Sequence, residues 1–219
     1  MSFTKEQLEQ RRQGIGASEV SAIVGLSPFR TAHDIYLEKI GAVDPTPETL
    51  PQKRGRILES ALRDWFCEDT GLKVWVPQSM KHDTEPFYAT PDGIILREGD
   101  GPSALLELKS DFSFQNHWGE EEDAVPDWYA VQVAFQLGVT GFDLAYLAVL
   151  RLGNFRIYTL RRDQDIIDTL FAACREFWTL VQNRTPPRLD ASDSSRNLLR
   201  SLFPENNGII LKATPQADA

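Results

Sequence analysis

Cysteine is almost absent: the 219-residue chain has 2, Cys67 and Cys174. They lie far apart, each inside a helix-like pattern. Both are therefore expected to be buried thiols of a cytosolic protein, not a disulfide or a metal cluster. Long apolar runs are also missing, and none approaches the roughly 18 residues of a membrane span. The opening stretch MSFTKEQLEQRRQG is charged and helical in pattern, without the apolar segment of a signal peptide, so a cytoplasmic location is expected. Positive charge is in deficit, with 23 Lys and Arg against 32 Asp and Glu for a net charge of −9. That excludes a protein that coats nucleic acid through bulk charge. It leaves open one that reaches DNA through a local basic groove and a metal. There is no internal repeat and no low-complexity block.

What is present is a globular composition, 42% hydrophobic and 25% charged, in a length that suits one large domain. Breaks are expected at the Pro-rich stretch Gly41–Gln52, the acidic loop Asp111–Pro126 and after Pro186-Pro187. Residues 1–190 read as a single domain. Residues 191–219 read as a tail that serves as an interface or is partly disordered.

Capping chemistry and apolar periodicity predict helices over Ser18–Val24, Thr31–Ile40, Gly55–Asp69, Asp127–Leu137 and Gln164–Gln182. In the third, Ile57, Leu58, Ala61, Leu62, Trp65 and Phe66 share the apolar face. Ser18 is the expected cap of the first, and Gly138 the expected stop of the fourth. Strands are predicted over Leu72–Val76, Phe87–Thr90, Gly93–Leu96, Ala104–Ser110, Leu144–Leu150 and Arg156–Arg162, the last two joined by the hairpin signal RLGNF. The order implies a mixed α/β domain with a central mixed sheet flanked by helices.

The chemistry gathers in FYATPDGIILREGDGPSALLELKS, Phe87 to Ser110. Alternate strand residues share a face, so Glu107 and Lys109 point one way and Leu106 and Leu108 the other. Antiparallel pairing about Asp100 sets Asp92 across from Leu108, within reach of Glu107 and Lys109. Two neighbouring carboxylates repel, and a divalent cation relieves that. Oxygen ligands without Cys or His favour Mg²⁺ or Mn²⁺. A lysine beside them orients or deprotonates water, or neutralises an attacked phosphate. On spacing alone a salt-bridged or surface strand explains the same residues. Against that, this Glu-x-Lys is the chain's only Asp/Glu-x-Lys, and its strand has Leu105, Leu106 and Leu108 buried on two sides.

Five segments in order, RRQGIGASEVSAIVGLSPF, RGRILESALRDWF, ATPDG, LLELKS and YAVQVAFQLGVTG, resemble the YqaJ-like viral recombinase family, which includes phage lambda exonuclease. The resemblance runs from about Arg11 to Leu189. It implies a restriction-endonuclease-like PD-(D/E)xK fold and a Mg²⁺-dependent 5′-to-3′ exonuclease on linear duplex DNA ends. Such an enzyme leaves 3′ single strands for an annealing protein and forms a ring-shaped homotrimer. By the same resemblance Asp92 and Glu107 hold metal, Lys109 assists the water, Glu59 supports the metal and Gln132 orients the site. Taken alone, Glu59 is equally an i,i+4 partner of Arg63. Tyr129, Gln132 and Gln136, taken alone, are the ordinary wet face of their helix, and only the resemblance sets Gln132 apart.

In GIGASEV, Gly14 and Gly16 allow tight turns and Ser18 opens a helix end that attracts anions, with Arg11 or Arg12 beside it. An ordinary capped helix with two surface arginines fits as well. The resemblance assigns the terminal 5′ phosphate to Arg11, Ser18 and Thr90, with Arg12 as rival. It departs at SDFSFQNHW, where Gln115 stands near the family's pocket arginine and His117 lies beyond. The strength of 5′-phosphate selection is left open by that change. Two rival functions remain: a structure-selective or restriction-type endonuclease on the same fold, and a catalytically silent DNA-end-binding protein.

Overall fold

The computed structural model describes residues 9, 11–43, 48–97, 101–114, 117–121 and 124–188. The tail expected over 191–219 and Gln115 lie outside them. Eight strands and five helices follow in order: β1 (Ile15–Gly16), α1 (Val20–Ile23), α2 (Ala32–Lys39), α3 (Leu50–Thr70), β2 (Lys73–Trp75), β3 (Met80–Lys81), β4 (Phe87–Ala89), β5 (Gly93–Arg97), β6 (Gly101–Asp111), α4 (Asp127–Thr140), β7 (Leu144–Arg151), β8 (Asn154–Arg161) and α5 (Gln164–Gln182). A 3-10 turn, Ala17–Glu19, leads into α1.

The main sheet runs β2-β5-β6-β7-β8, parallel only between β6 and β7, and is therefore mixed as expected. A small sheet, β1-β4-β3, carries two strands too short to show a pattern in the sequence. Side-chain alternation divides the core. Leu105, Ala145, Leu147 and Val149 pack with α4 and α5 on one face. Leu106, Leu108 and Ala148 pack with Leu62 and Phe66 of α3 on the other. Each large buried side chain contributes about 1.5–3 kcal/mol.

The helix ends show where local signals were overridden. The Thr31 capping box forms with Asp34. The first helix, however, is preceded by the 3-10 turn Ala17–Glu19, capped at Gly16, whose N–H donates to the Glu19 carboxylate at 2.9 Å, so Ser18 sits inside that turn and is exposed. Gly14 is required for close approach, since a Cβ there would lie 2.1 Å from the Pro86 carbonyl oxygen. Gly16, at φ −87, turns nothing. Helix α3 starts five residues earlier than expected, because Thr49 caps it and Pro51 suits its first turn. On it Ile57 and Trp65 are exposed, with Trp65 stacked on Phe155, so the buried stripe is narrower than the expected face.

Helix α4 passes through Gly138 and stops at Gly141, at φ 78. Gly138 is there for contact between helices: a Cβ would stand 2.7 Å from Ile167 of α5. Helix α5 matches its expected bounds, although Ile166 is exposed. Cys174 is buried and Cys67 half-buried, both free thiols. No helix of the described residues is long and apolar enough to cross a membrane.

Candidate active site at the end of β6

On its α4-facing side, β6 turns from apolar to charged as it advances, from Leu105 to Glu107 to Lys109. Across from it, Gly93 pairs with Leu106, one residue off the expected register, which brings Asp92 level with Glu107. The Asp92 Oδ2 accepts the Leu108 amide at 2.7 Å, so β5 is tied to β6 at this point.

Glu107 is 3% exposed and held on every side. Its Oε1 accepts from Gln132 Nε2 at 2.6 Å and from the Lys109 ammonium, and its Oε2 accepts from Gln136 Nε2 at 2.8 Å. The polar stripe of α4 is thus no wet face. Gln136 is 1% exposed and Gln132 half-buried, and Lys109 Nζ lies 5.0 Å from the Tyr129 ring centre. Gln136, placed by the sequence only in the polar stripe of this helix, joins Gln132 on Glu107. Its signal was the i, i+4 spacing from Gln132.

The electrostatics are strained in one direction. Burial pushes the half-buried Asp92 carboxyl up, Glu107 pushes it further, and Lys109 only partly compensates, leaving it at about 8. Burial alone would lower Lys109, but Glu107 and Asp92 outweigh it and hold the ammonium above its ordinary value. Glu59 stands one layer out. Arg63 Nη2 donates to its Oε1 at 2.5 Å while Arg63 Nε donates to the Asp92 carbonyl at 3.2 Å. Glu59 thus forms the i,i+4 pair with Arg63, and Arg63 in turn holds the Asp92 carbonyl.

Do these residues suit a divalent cation? Among the described residues no three His, Cys, Asp or Glu side chains form a metal cage. Mg²⁺ does not need one, since it commonly takes one or two carboxylates and completes its shell with water and phosphate. Two carboxylates level on neighbouring strands, Asp92 with its proton affinity raised and Glu107 paired with Lys109, are an oxygen-donor set of that kind.

The second group is more dispersed. Parallel pairing of Ile15 with Phe87 and Gly16 with Tyr88 runs both chains out at the same end of the small sheet, with Ser18 and Thr90 each two residues beyond the last pair and both exposed, and Thr90 two residues before Asp92. Arg11 Nη2 donates to Glu19 Oε1 at 3.2 Å. Glu19 is itself buried and takes Lys39 Nζ at 2.6 Å, an ion pair with no clear sequence signal. Burial lowers Lys39 despite Glu19. Arg12 is exposed and its guanidinium lies against Gly41, 3.5 Å from where a Cβ would be. His117 is exposed, with its ring 5.0 Å from Trp128.

Comparison with known proteins agrees with this layout. The profile of the YqaJ-like viral recombinase domain matches residues 6–143. The uncharacterized protein YqaJ of Bacillus subtilis is 34% identical over 94% of the chain, and the chain spans 66% of that relative's length. For the uncharacterized protein R354 of Acanthamoeba polyphaga mimivirus the figures are 30% identity, 64% of this chain and 27% of the relative. An alkaline exonuclease from Laribacter hongkongensis superposes with a TM-score of 0.64 at 17% identity, covering 92% of this chain and 99% of that one. The same enzyme has been solved in complex with dAMP. The architecture is the restriction-endonuclease-like PD-(D/E)xK core, a mixed sheet with α3 on one face and α4 and α5 on the other.

Proposed function

The chain belongs to the YqaJ-like viral recombinase family, and from that premise we propose that it is a metal-dependent 5′-to-3′ exonuclease acting on linear duplex DNA ends. One observation carries this reading: Asp92, tied to the Leu108 amide, lies level with Glu107 near the end of β6, where Lys109 donates to Glu107. Mg²⁺, or Mn²⁺ in its place, would be held by Asp92 and Glu107 with Glu59 in support, and would supply Lewis-acid polarisation and charge neutralisation at the phosphate.

The chain's own groups do the positioning. Gln132 and Gln136 fix both oxygens of Glu107, and the Tyr129 ring lies under the Lys109 ammonium. The ammonium donates to Glu107 and offers its other N–H groups to the attacking water and to the phosphate oxygens, where charge develops. Water adds to phosphorus and the P–O3′ bond breaks. A mononucleotide leaves, and the next residue keeps a 5′ phosphate. In this reading that 5′ phosphate is taken by Arg11, Ser18 and Thr90, with Arg12 in reserve. A mononucleotide complex of a structural neighbour is consistent with such a product site.

Residues 1–190 form the nuclease domain in this reading, a cytoplasmic enzyme whose 3′ single strands pass to an annealing protein. A homotrimeric ring accounts for the net charge of −9. Enclosure supplies processivity where strong phosphate binding would resist sliding.

The test is linear duplex labelled separately at its 5′ and 3′ ends, with 5′ phosphate or 5′ hydroxyl, beside a closed circle and a Lys109→Ala control. Mg²⁺-dependent release from the 5′ end alone, lost in the variant, is expected. Cutting of the circle would establish an endonuclease instead, and binding without cutting a silent end-binder.

A further inference from the structure

Beyond Lys109, β6 ends at Asp111 and releases two aromatic side chains to solvent. Phe112 is 36% exposed and Phe114 94%. The Asp111 carboxylate shapes this exit. Its Oδ1 accepts the Ser113 amide at 2.8 Å and its Oδ2 accepts the Trp118 indole N–H at 2.7 Å. The first turns of α3 pass alongside. Gly55 lies against Ser110, and the Arg54 guanidinium sits 4.1 Å from the Phe112 ring centre. Among the described residues Arg54 makes no hydrogen bond, and its Nε is buried without a partner. Lys53 precedes it, and Arg56 two residues on is paired with Glu48 at 2.8 Å, so Lys53 and Arg54 form a small cationic spot in a chain of net charge −9.

Two exposed rings, a guanidinium stacked on one of them and its donors unspent form the combination that receives unpaired nucleotides. Any base stacks on an aromatic face, and the cation takes the backbone phosphate. Phe112 follows Lys109 by three residues, a reach along the chain of about 10 Å, or about three base-stacking rises of 3.4 Å. We propose that Phe112, Phe114 and Arg54 form a stacking platform for unpaired DNA next to the scissile position. The platform would hold the strand that the duplex end releases as Lys109 and its neighbours act on it. This rests on the exonuclease reading for its place in the reaction.

The test titrates the full chain, in EDTA to prevent cutting, with fluorescent oligo(dT) and with a blunt duplex of equal length. Loss of one stacking ring is expected to weaken oligo(dT) binding by about fivefold or more in Phe114→Ala. Phe114→Trp should restore it and Phe114→Leu should not. Arg54→Met should lower the slope of log affinity against log salt by about 0.7, while Phe114→Ala leaves the slope unchanged. Wild-type affinity in Phe114→Leu would overturn the platform, because apolarity without a ring would then suffice. So would an unchanged oligo(dT) affinity in Phe114→Ala together with a changed sedimentation coefficient, which would make this face a protein contact. Absence of any nuclease activity in the wild type would sink the exonuclease reading alone, since the titration still decides whether bases stack here.

Discussion

Glu19 and Glu107 are buried equally, each 3% exposed, and each accepts a hydrogen bond from a lysine. The two clusters differ in their charge count. Around Glu19, one carboxylate meets two cations, Arg11 and Lys39, and its remaining capacity is taken by the Gly16 amide. Around Glu107, two carboxylates share the single ammonium of Lys109, and Asp92 answers by holding its proton up to about pH 8. The first arrangement closes on itself and ties β1 to α2. The second is short of positive charge, which is what the proposed cation would supply. Burial of a charge therefore does not mark a functional site. The sign of the local imbalance does.

The sharpest way to separate the clusters is to remove a member of each. Glu107→Ala and Lys109→Ala should each cut the nuclease rate on the order of 10³-fold, by withdrawing a preorganised charge from the reacting phosphate. Urea unfolding should show both variants still cooperatively folded. Glu19→Ala should act in the opposite way. It leaves Lys39 buried without its partner and should cost about 3–5 kcal/mol in a urea melt. If its stability matched the wild type, the closed reading of that cluster would be wrong.

Asp92→Asn reverses the sign. With the folded carboxyl raised to about 8, the folded, metal-free chain keeps a proton that the unfolded chain has released across about pH 4 to 8. Its stability therefore falls as pH rises through that window and levels off above it. Asp92→Asn should remove this decline and be the more stable protein at pH 8.5, with a Tm higher by several degrees in EDTA. Added Mg²⁺ should flatten the wild-type curve in the same way. Parallel Tm curves for the two proteins would refute the charge imbalance.

This imbalance was partly legible beforehand. Strand alternation put Glu107 and Lys109 on one face and Leu106 and Leu108 on the other, because a period of two leaves no alternative in a buried strand. The register missed by one residue, since turn residues fix the pairing less firmly than the apolar pattern fixes the face; the ladder shifts between Ile95 and Leu96. What the sequence hid was long-range. Lys39 lies 20 residues beyond Glu19, and only tertiary packing makes them a pair. Gly138 looked like a helix stop because its role, contact with Ile167 and Phe171, belongs to a partner helix. The glutamines of α4 looked wet because periodicity shows that a stripe is polar, not what it faces.

Those glutamines allow the finest test of the comparison. Gln136 and Gln132 each donate one N–H to Glu107, at 2.8 and 2.6 Å, but Gln136 is fully buried and Gln132 half-buried. Water can replace the Gln132 donor. Nothing among the described residues replaces Gln136, whose own Oε1 is already buried without a partner. Gln136→Met keeps the volume, removes that unsatisfied oxygen and leaves Glu107 Oε2 without its donor, so its effect on stability should be small. A carboxylate that has lost the donor fixing it orients a cation less well, and the loss in Mn²⁺ affinity should be about 10-fold. Gln132→Met should lose less. Calorimetric titration of Mn²⁺ into both variants measures the order directly. If Gln132→Met proved the more damaging, the exposed side of Glu107 would be the side that sets the site, and the depth of its burial would have no bearing on metal binding.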